Sequence, residues 1–287
     1  LKIIIAKETL AGEAIQRLRA RCYLRKNRTR GVIQNTSVNT AYCSTIQSDI
    51  RLDKPLRIAI DFGNGVAGNI GPGLFRRLGC KVFPMYAEVD GNFPNHHPDP
   101  SQPENLSDLQ NVVTDQELDF GLAFDGDGDR LGVVSPDGEI IWPDRQLILF
   151  AQDILRRKPG SEIIFDVKCT RNLSKSIENA GGFATMWRTG HSFIKAKLKQ
   201  SGAALAGEMS GHIFFQDRWY GFDDAIYAGA RLCELISIHQ ESAKHIFRSI
   251  PNTINTPELR LEMEEGAHHQ LIDKLKESAK FDVGAIS

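Results

Sequence analysis

No apolar run in this sequence approaches the ~18 residues needed to cross a bilayer, and no signal-peptide pattern stands at its start. An excess of either charge is missing too. The 35 Lys and Arg are matched by 36 Asp and Glu, for a net charge of −1 and a pI near 6.8. That leaves no basic footprint for nucleic acid. Cysteine is scarce and scattered: positions 22, 43, 80, 169 and 233, an odd number with no CxxC spacing. Such a set gives no disulfide framework and reads as reduced thiols of a cytoplasmic protein. Low-complexity segments are absent, and internal repetition is weak.

The 287 residues, 41% hydrophobic and 25% charged, have ordinary globular composition and suit about two domains of ~100–200 residues each. Both ends read as cut from something longer. The chain opens on the apolar run 1–5 without methionine, and it stops after a charged amphipathic stretch.

Residues 1–5 predict a strand, and 12–21 a helix with Ile15 and Leu18 on one face. Residues 22–54 are polar and read as an irregular inter-domain segment closed by Pro55. From Arg57 the pattern alternates: strands over 57–62, 81–86 and 119–124, with helices over 73–78 and 104–113 between them. LGVVS and EIIW flank the turn Pro136-Asp137-Gly138 and predict a hairpin. A strong helix over 144–157, opened by Pro143, closes this round. A second round places strands at 162–167, 183–187 and 203–208, and helices at 172–179, 192–200 and 223–238. Alternation of this kind implies parallel sheets in two α/β domains, with a boundary near 155–162. A further strand (258–263) and helix (268–278) follow Pro251.

The stretch GLAFDGDGDRLGVV puts Asp125, Asp127 and Asp129 on alternate positions directly after a buried strand. Three carboxylates so close repel one another unless water, a basic group or a cation compensates them, and a metal is the obvious candidate. Oxygen-only ligands favour Mg²⁺ or Ca²⁺. An EF-hand fails, since its sixth position would be Arg130 instead of glycine and its twelfth Pro136 instead of glutamate. Three carboxylates leave coordination positions open, which suits Mg²⁺ bridging to a phosphate, with Arg130 as a second anion contact. The bland alternative is an acidic turn solvated by water.

Gly63, Gly65 and Gly68 in DFGNGVAG form a GxGxxG after a strand, with Glu88 beyond the second strand. That pattern raises a NAD-dependent oxidoreductase as a rival, or merely a tight packing turn. His96, His97 and Asp99 raise a zinc site, but adjacent histidines in an extended loop diverge and no third His or Cys is suitably spaced. A structural or phosphate-lining loop is the better reading. DVKCTR, TGHSFIK and GEMSGH end strands or open helices with Lys168, His191, Glu208, Ser210 and His212. Their convergence on one rim predicts a polar pocket for a hydroxyl-rich ligand, with acid and base groups nearby.

Together, DGDGDR, DVKCTR, TGHS and GEMSGH, with the stretches 61–65 and 88–100, resemble the α-D-phosphohexomutases of the bacterial phosphomannomutase/phosphoglucomutase type, over nearly the whole chain. The resemblance implies successive mixed-sheet α/β domains: 1–54 as the end of a first domain and a linking segment, 55–157 as a metal-binding domain, 158–253 as a sugar-binding domain and 254–287 as the start of a fourth. It implies Mg²⁺ on Asp125, Asp127 and Asp129, and Arg130 in contact with the phosphorylated nucleophile or the transferring phosphoryl group. It also implies sugar recognition by Glu208 and Ser210 with His212 beside them, and sugar contact and proton transfer by Lys168 and His191.

The implied reaction is reversible phosphoryl transfer between C1 and C6 of a hexose phosphate through a phosphoserine and a 1,6-bisphosphate, with glucose 1,6-bisphosphate as activator. The family's active-site Ser-His loop and its fourth-domain Arg-Ala-Ser-Asn-Thr-like loop have no counterpart in these residues. The chain alone is thus expected to be catalytically silent. A non-catalytic sugar-phosphate binder is the alternative.

Overall fold

The computed structural model describes residues 4–5, 8–9, 17, 19–20, 32, 34–253, 261–264 and 267–279. Most of the expected helix over 12–21 lies outside them, although Arg17, Arg19 and Ala20 are helical. The strand expected at 1–5 is represented by β1 (Ile4–Ile5), paired with β2 (Glu8–Thr9).

Residues 22–54 are not irregular throughout. Helix α1 (Asn39–Asp49) occupies their second half. Its polar sequence hides a short apolar edge, Cys43 and Ile46, which is buried in the main core together with the following Ile50. Tyr42 fixes the helix further by donating to Asp224 (2.8 Å).

Two four-stranded sheets follow, built to one plan. The first comprises β3 (Arg57–Asp61), β4 (Lys81–Met85), β5 (Phe120–Phe124) and β6 (Leu131–Val134) in the order β4-β3-β5-β6. The second comprises β7 (Glu162–Asp166), β8 (Phe183–Trp187), β9 (Leu205–Gly207) and β10 (Ile213–Phe215) in the order β10-β9-β7-β8. In each sheet three strands are parallel and the last runs antiparallel at an edge. The sheets are therefore mixed, and the repetition that is weak in sequence is plain in topology.

Helices α2 (Gly71–Leu78) and α3 (Ser107–Asp115) serve the first sheet, and α5 (Arg171–Asn179) and α6 (His191–Ser201) the second. The long α4 (Pro143–Arg157) links the two sheets and is buried along most of its length. Helix α7 (Ala225–Ile238), though it follows the second sheet in sequence, returns to cover the first. There the absent side chain of Gly229 lets Leu122, Phe75 and Phe124 approach. One hydrophobic core consequently runs from Ile58 and Phe124 through Leu147 and Phe150 to Phe165 and Phe215.

The hairpin expected across Pro136-Asp137-Gly138 survives only as a turn with one antiparallel bridge, Val134 to Ile140. Pro143 starts α4 too soon for residues 139–142 to extend as a strand. The true hairpin of this region is β5–β6, and the aspartate triplet is its connection. Helices α8 (Ala243–Ser249) and α9 (Ala267–Ser278) end the described chain. Of the strand expected at 258–263, residues 258–260 lie outside the described residues. Residues 261–264 are exposed and irregular, with no strand pairing to them among the described residues.

Candidate active site where two strand-end loops meet

The β5–β6 connection (125–130) and the β9–β10 connection (208–212) occupy equivalent places in the two sheets, and they face each other. Arg130 and His212 form an antiparallel bridge, and the Leu131 amide donates to the Gly211 carbonyl (3.1 Å). Gly211 has φ +103°, and a Cβ there would lie 3.3 Å from the Cβ of Arg130. Both the turn and the close approach require glycine at this position.

In the first loop, carboxylate oxygens of Asp125, Asp127 and Asp129 converge within 4.8 Å. Asp125 and Asp129 are buried, while Asp127 is exposed at the mouth. Asp125 Oδ1 accepts the amides of Asp129 (2.9 Å) and Arg130 (3.0 Å), and its Oδ2 accepts Arg130 Nε (2.7 Å). Arg130 Nη1 reaches on to Asp99 (2.8 Å). Burial pushes the Asp125 carboxyl up to about 6, against the pull of the Arg130 hydrogen bonds. Clustered oxygen donors, two of them withdrawn from water, fit a hard divalent cation.

In the second loop Glu208 is buried. Its Oε1 accepts the Gly190 amide (2.6 Å), and its Oε2 lies 3.2 Å from His212 Nδ1. His212 Nε2 is 3.4 Å from Asp129, so this imidazole spans both loops. Burial works to lower its pKa, but the hydrogen bonds to Asp129 and Glu208 prevail and carry it to about 9. Ser210 Oγ is 2.9 Å from His212 Nδ1. His191, the first residue of α6, stacks on His212 with ring centroids 5.4 Å apart. Lys168 stands exposed on the turn after β7.

Arg130, His191, Glu208, Ser210, His212 and the three aspartates thus gather around one seam, with the Lys168 turn at the end of the neighbouring strand. Asp223 belongs to the same neighbourhood and was not anticipated. It accepts Lys195 Nζ (3.0 Å) and lies 3.5 Å from His191 Nδ1. The signal was the pair Asp223-Asp224. Only one aspartate is needed to cap α7, and Asp224 fills that role by accepting the Tyr227 amide.

The rival motifs resolve as packing. A Cβ on Gly65 would meet the carbonyl oxygens of Asp125 and Gly126 at 2.9 Å, and the Val66 amide donates to the Gly126 carbonyl (3.1 Å). The glycine turn thereby packs directly against the backbone of the aspartate loop. His96 is committed to Asp61 (2.9 Å) and Asp99 to Arg130, which makes 88–100 a strut for that loop.

Comparison with known proteins shows the family. The family models for phosphoglucomutase/phosphomannomutase α/β/α domains II and III match residues 40–138 and 142–254. The chain belongs to the α-D-phosphohexomutase family. It is 51% identical to the phosphomannomutase/phosphoglucomutase of Pseudomonas aeruginosa over 100% of the chain and 62% of that protein. It is 50% identical to the phosphoglucomutase of Neisseria gonorrhoeae over 98% of the chain and 62% of that protein. The crystal structure of a phosphoglucomutase/phosphomannomutase family protein from Burkholderia thailandensis superposes with a TM-score of 0.90. That match has 48% identity and covers 98% of this chain and 60% of that one. A more distant phosphohexomutase fold is the N-acetylphosphoglucosamine mutase of Aspergillus fumigatus, crystallised with GlcNAc-6P and magnesium. It has 15% identity and a TM-score of 0.54, over 83% of this chain and 60% of that one. The chain spans about three-fifths of the length of the curated relatives it matches. Among the described residues no helix is long and apolar enough to cross a membrane.

Proposed function

We propose that this chain carries the metal and sugar loops of a cytoplasmic hexose-phosphate mutase. The reaction is reversible phosphoryl transfer between C1 and C6 of mannose or glucose phosphates through a phosphoserine and a 1,6-bisphosphate, with glucose 1,6-bisphosphate as activator. The observation that carries this reading is the Arg130–His212 bridge, which sets the triple-carboxylate loop against the Glu208–His212 loop. The metal-loop domain is drawn over 55–157 and the sugar-loop domain over 158–253.

Phosphoryl transfer asks a protein chiefly for in-line positioning and charge compensation. Asp125, Asp127 and Asp129 would hold Mg²⁺, which when bound compensates charge on the phosphoryl oxygens. Arg130, aimed by Asp125 and Asp99, presents its remaining guanidinium edge to the same oxygens. Glu208 is fixed from behind by the Gly190 amide and accepts from adjacent sugar hydroxyls, which mannose and glucose share at O3 and O4. His212 and His191, stacked between Asp129, Glu208 and Asp223, are placed to hold or move the hydroxyl proton, with Lys168 at the rim.

Calorimetry tests the reading directly. The chain should bind Mg²⁺, and in its presence mannose 1-phosphate and glucose 1-phosphate. A chain that binds no sugar phosphate would refute it.

A further inference from the structure

Asp166, the last residue of β7, is fully buried, and the donors to its carboxylate are neutral. Oδ2 accepts the Thr189 hydroxyl (3.0 Å). Oδ1 accepts the Met209 amide (3.3 Å) and the Cys169 thiol (3.1 Å). A buried carboxyl group must have its hydrogen-bonding oxygens satisfied, and here the groups that satisfy them fix an arrangement of loops.

The three donors come from three separate segments. Cys169 sits on the turn that bears Lys168, Thr189 on the turn that delivers His191 to the start of α6, and Met209 between Glu208 and Ser210. Each segment carries a residue of the candidate site, and a single carboxylate holds all three. A second tie joins two of them independently, the Gly190 amide on Glu208 (2.6 Å). A third comes from below, where Asp144 on α4 accepts the Thr170 amide (2.8 Å).

We infer that Asp166 is the positioning residue of the sugar-binding half: it sets the Lys168 turn, His191 and the Glu208–Ser210 loop in one frame. The inference rests on the hexose-phosphate reading for the identity of the ligand, but not for the mechanical role. Asp166 does not itself reach the ligand. An asparagine in its place retains one acceptor oxygen and adds a donor, so it cannot serve Thr189 and Met209 from opposite oxygens as the carboxylate does.

The test compares the wild-type chain with Asp166→Asn by amide hydrogen exchange and calorimetry. Exchange should rise together in segments 167–170, 188–191 and 208–212 while the first sheet stays protected. Mannose 1-phosphate affinity should fall about tenfold, as for a buried hydrogen-bond partner left unmatched, with Mg²⁺ affinity unchanged. Thr189→Val, which cuts one arm only, should reproduce part of the loss, and Thr189→Ser should restore it. That pair decides the matter if Asp166→Asn does not fold.

Loosening confined to 167–170, or equal affinity in Asp166→Asn, would overturn the inference. So would equal behaviour of Thr189→Val and Thr189→Ser. If the wild-type chain binds no sugar phosphate, the functional reading falls instead, and the exchange pattern alone decides the role of Asp166.

Discussion

Arg130 Nε lies 2.7 Å from Asp125 Oδ2, so the cation that follows the aspartate triplet is spent first on holding the triplet's most buried member. Its Nη1 extends the hold to Asp99. Arg130→Met leaves the Asp125 charge uncompensated. Thermal unfolding should show a loss of about 2–3 kcal/mol, less than the ~3–5 kcal/mol of a fully buried pair because Arg130 is 25% exposed.

Asp127 is the exposed member of the set and has no such structural duty. Asp127→Asn should leave the melting temperature near wild type. It should weaken Mg²⁺ binding by at least the ~10-fold that losing a mere outer-sphere partner costs. Calorimetric titration with Mg²⁺ checks this, and unchanged affinity would remove the loop as the metal site.

Glu208→Gln keeps the shape of the side chain but gives up charge-assisted hydrogen bonds, each roughly twice as strong as a neutral one. Affinity for mannose and glucose 1-phosphates should fall together. A loss confined to one sugar would contradict recognition through shared hydroxyls.

His96 faces the His97 carbonyl through Nδ1 (3.0 Å) and Asp61 through Nε2 (2.9 Å). The hydrogen bond to Asp61 outweighs burial and raises its pKa to about 9. A histidine raised in the folded state contributes stability that is complete below the unfolded pKa of ~6.5 and disappears as pH climbs through the folded value. Wild type should therefore lose roughly 2 kcal/mol between about pH 6.5 and 9, after allowance for the ring's solvent-facing edge. His96→Gln should lack that slope in pH-dependent denaturation.

The 287 residues alone should convert no mannose 1-phosphate to the 6-phosphate, even with Mg²⁺ and glucose 1,6-bisphosphate. Ser210 is the tempting nucleophile, but its hydroxyl is engaged with His212, and its loop is the one proposed to bind the sugar. Turnover in a coupled assay would show that a serine on this chain accepts phosphate.

The alternation of strands and helices and the strand-end motifs were legible because apolar periodicity and glycine turns are local signals. Asp125–Arg130 and Glu208–His212 stood out for the same reason. Helix α1 was not legible: its only buried face is Cys43 and Ile46, and what holds it, Asp224, lies 182 residues away. Asp166 and Asp223 were missed because a carboxylate at a strand end or helix start looks ordinary until the fold shows which loops it collects. The glycine fingerprint raised its dinucleotide rival through sound local logic, since close approach was indeed required at Gly65, but by the chain's own backbone.

The two loops are tied along their main chains by the Arg130–His212 bridge and the Leu131 to Gly211 hydrogen bond, and the first loop is held to α7 by Ala225 donating to Gly128. Backbone pairing of this kind is indifferent to which side chains line it. Side chains on the second loop can therefore change without breaking its main-chain tie to the first, provided Gly211 is kept. Under the proposed function the two loops would act as one anvil, above which a sugar phosphate presenting each end in turn would have to rotate.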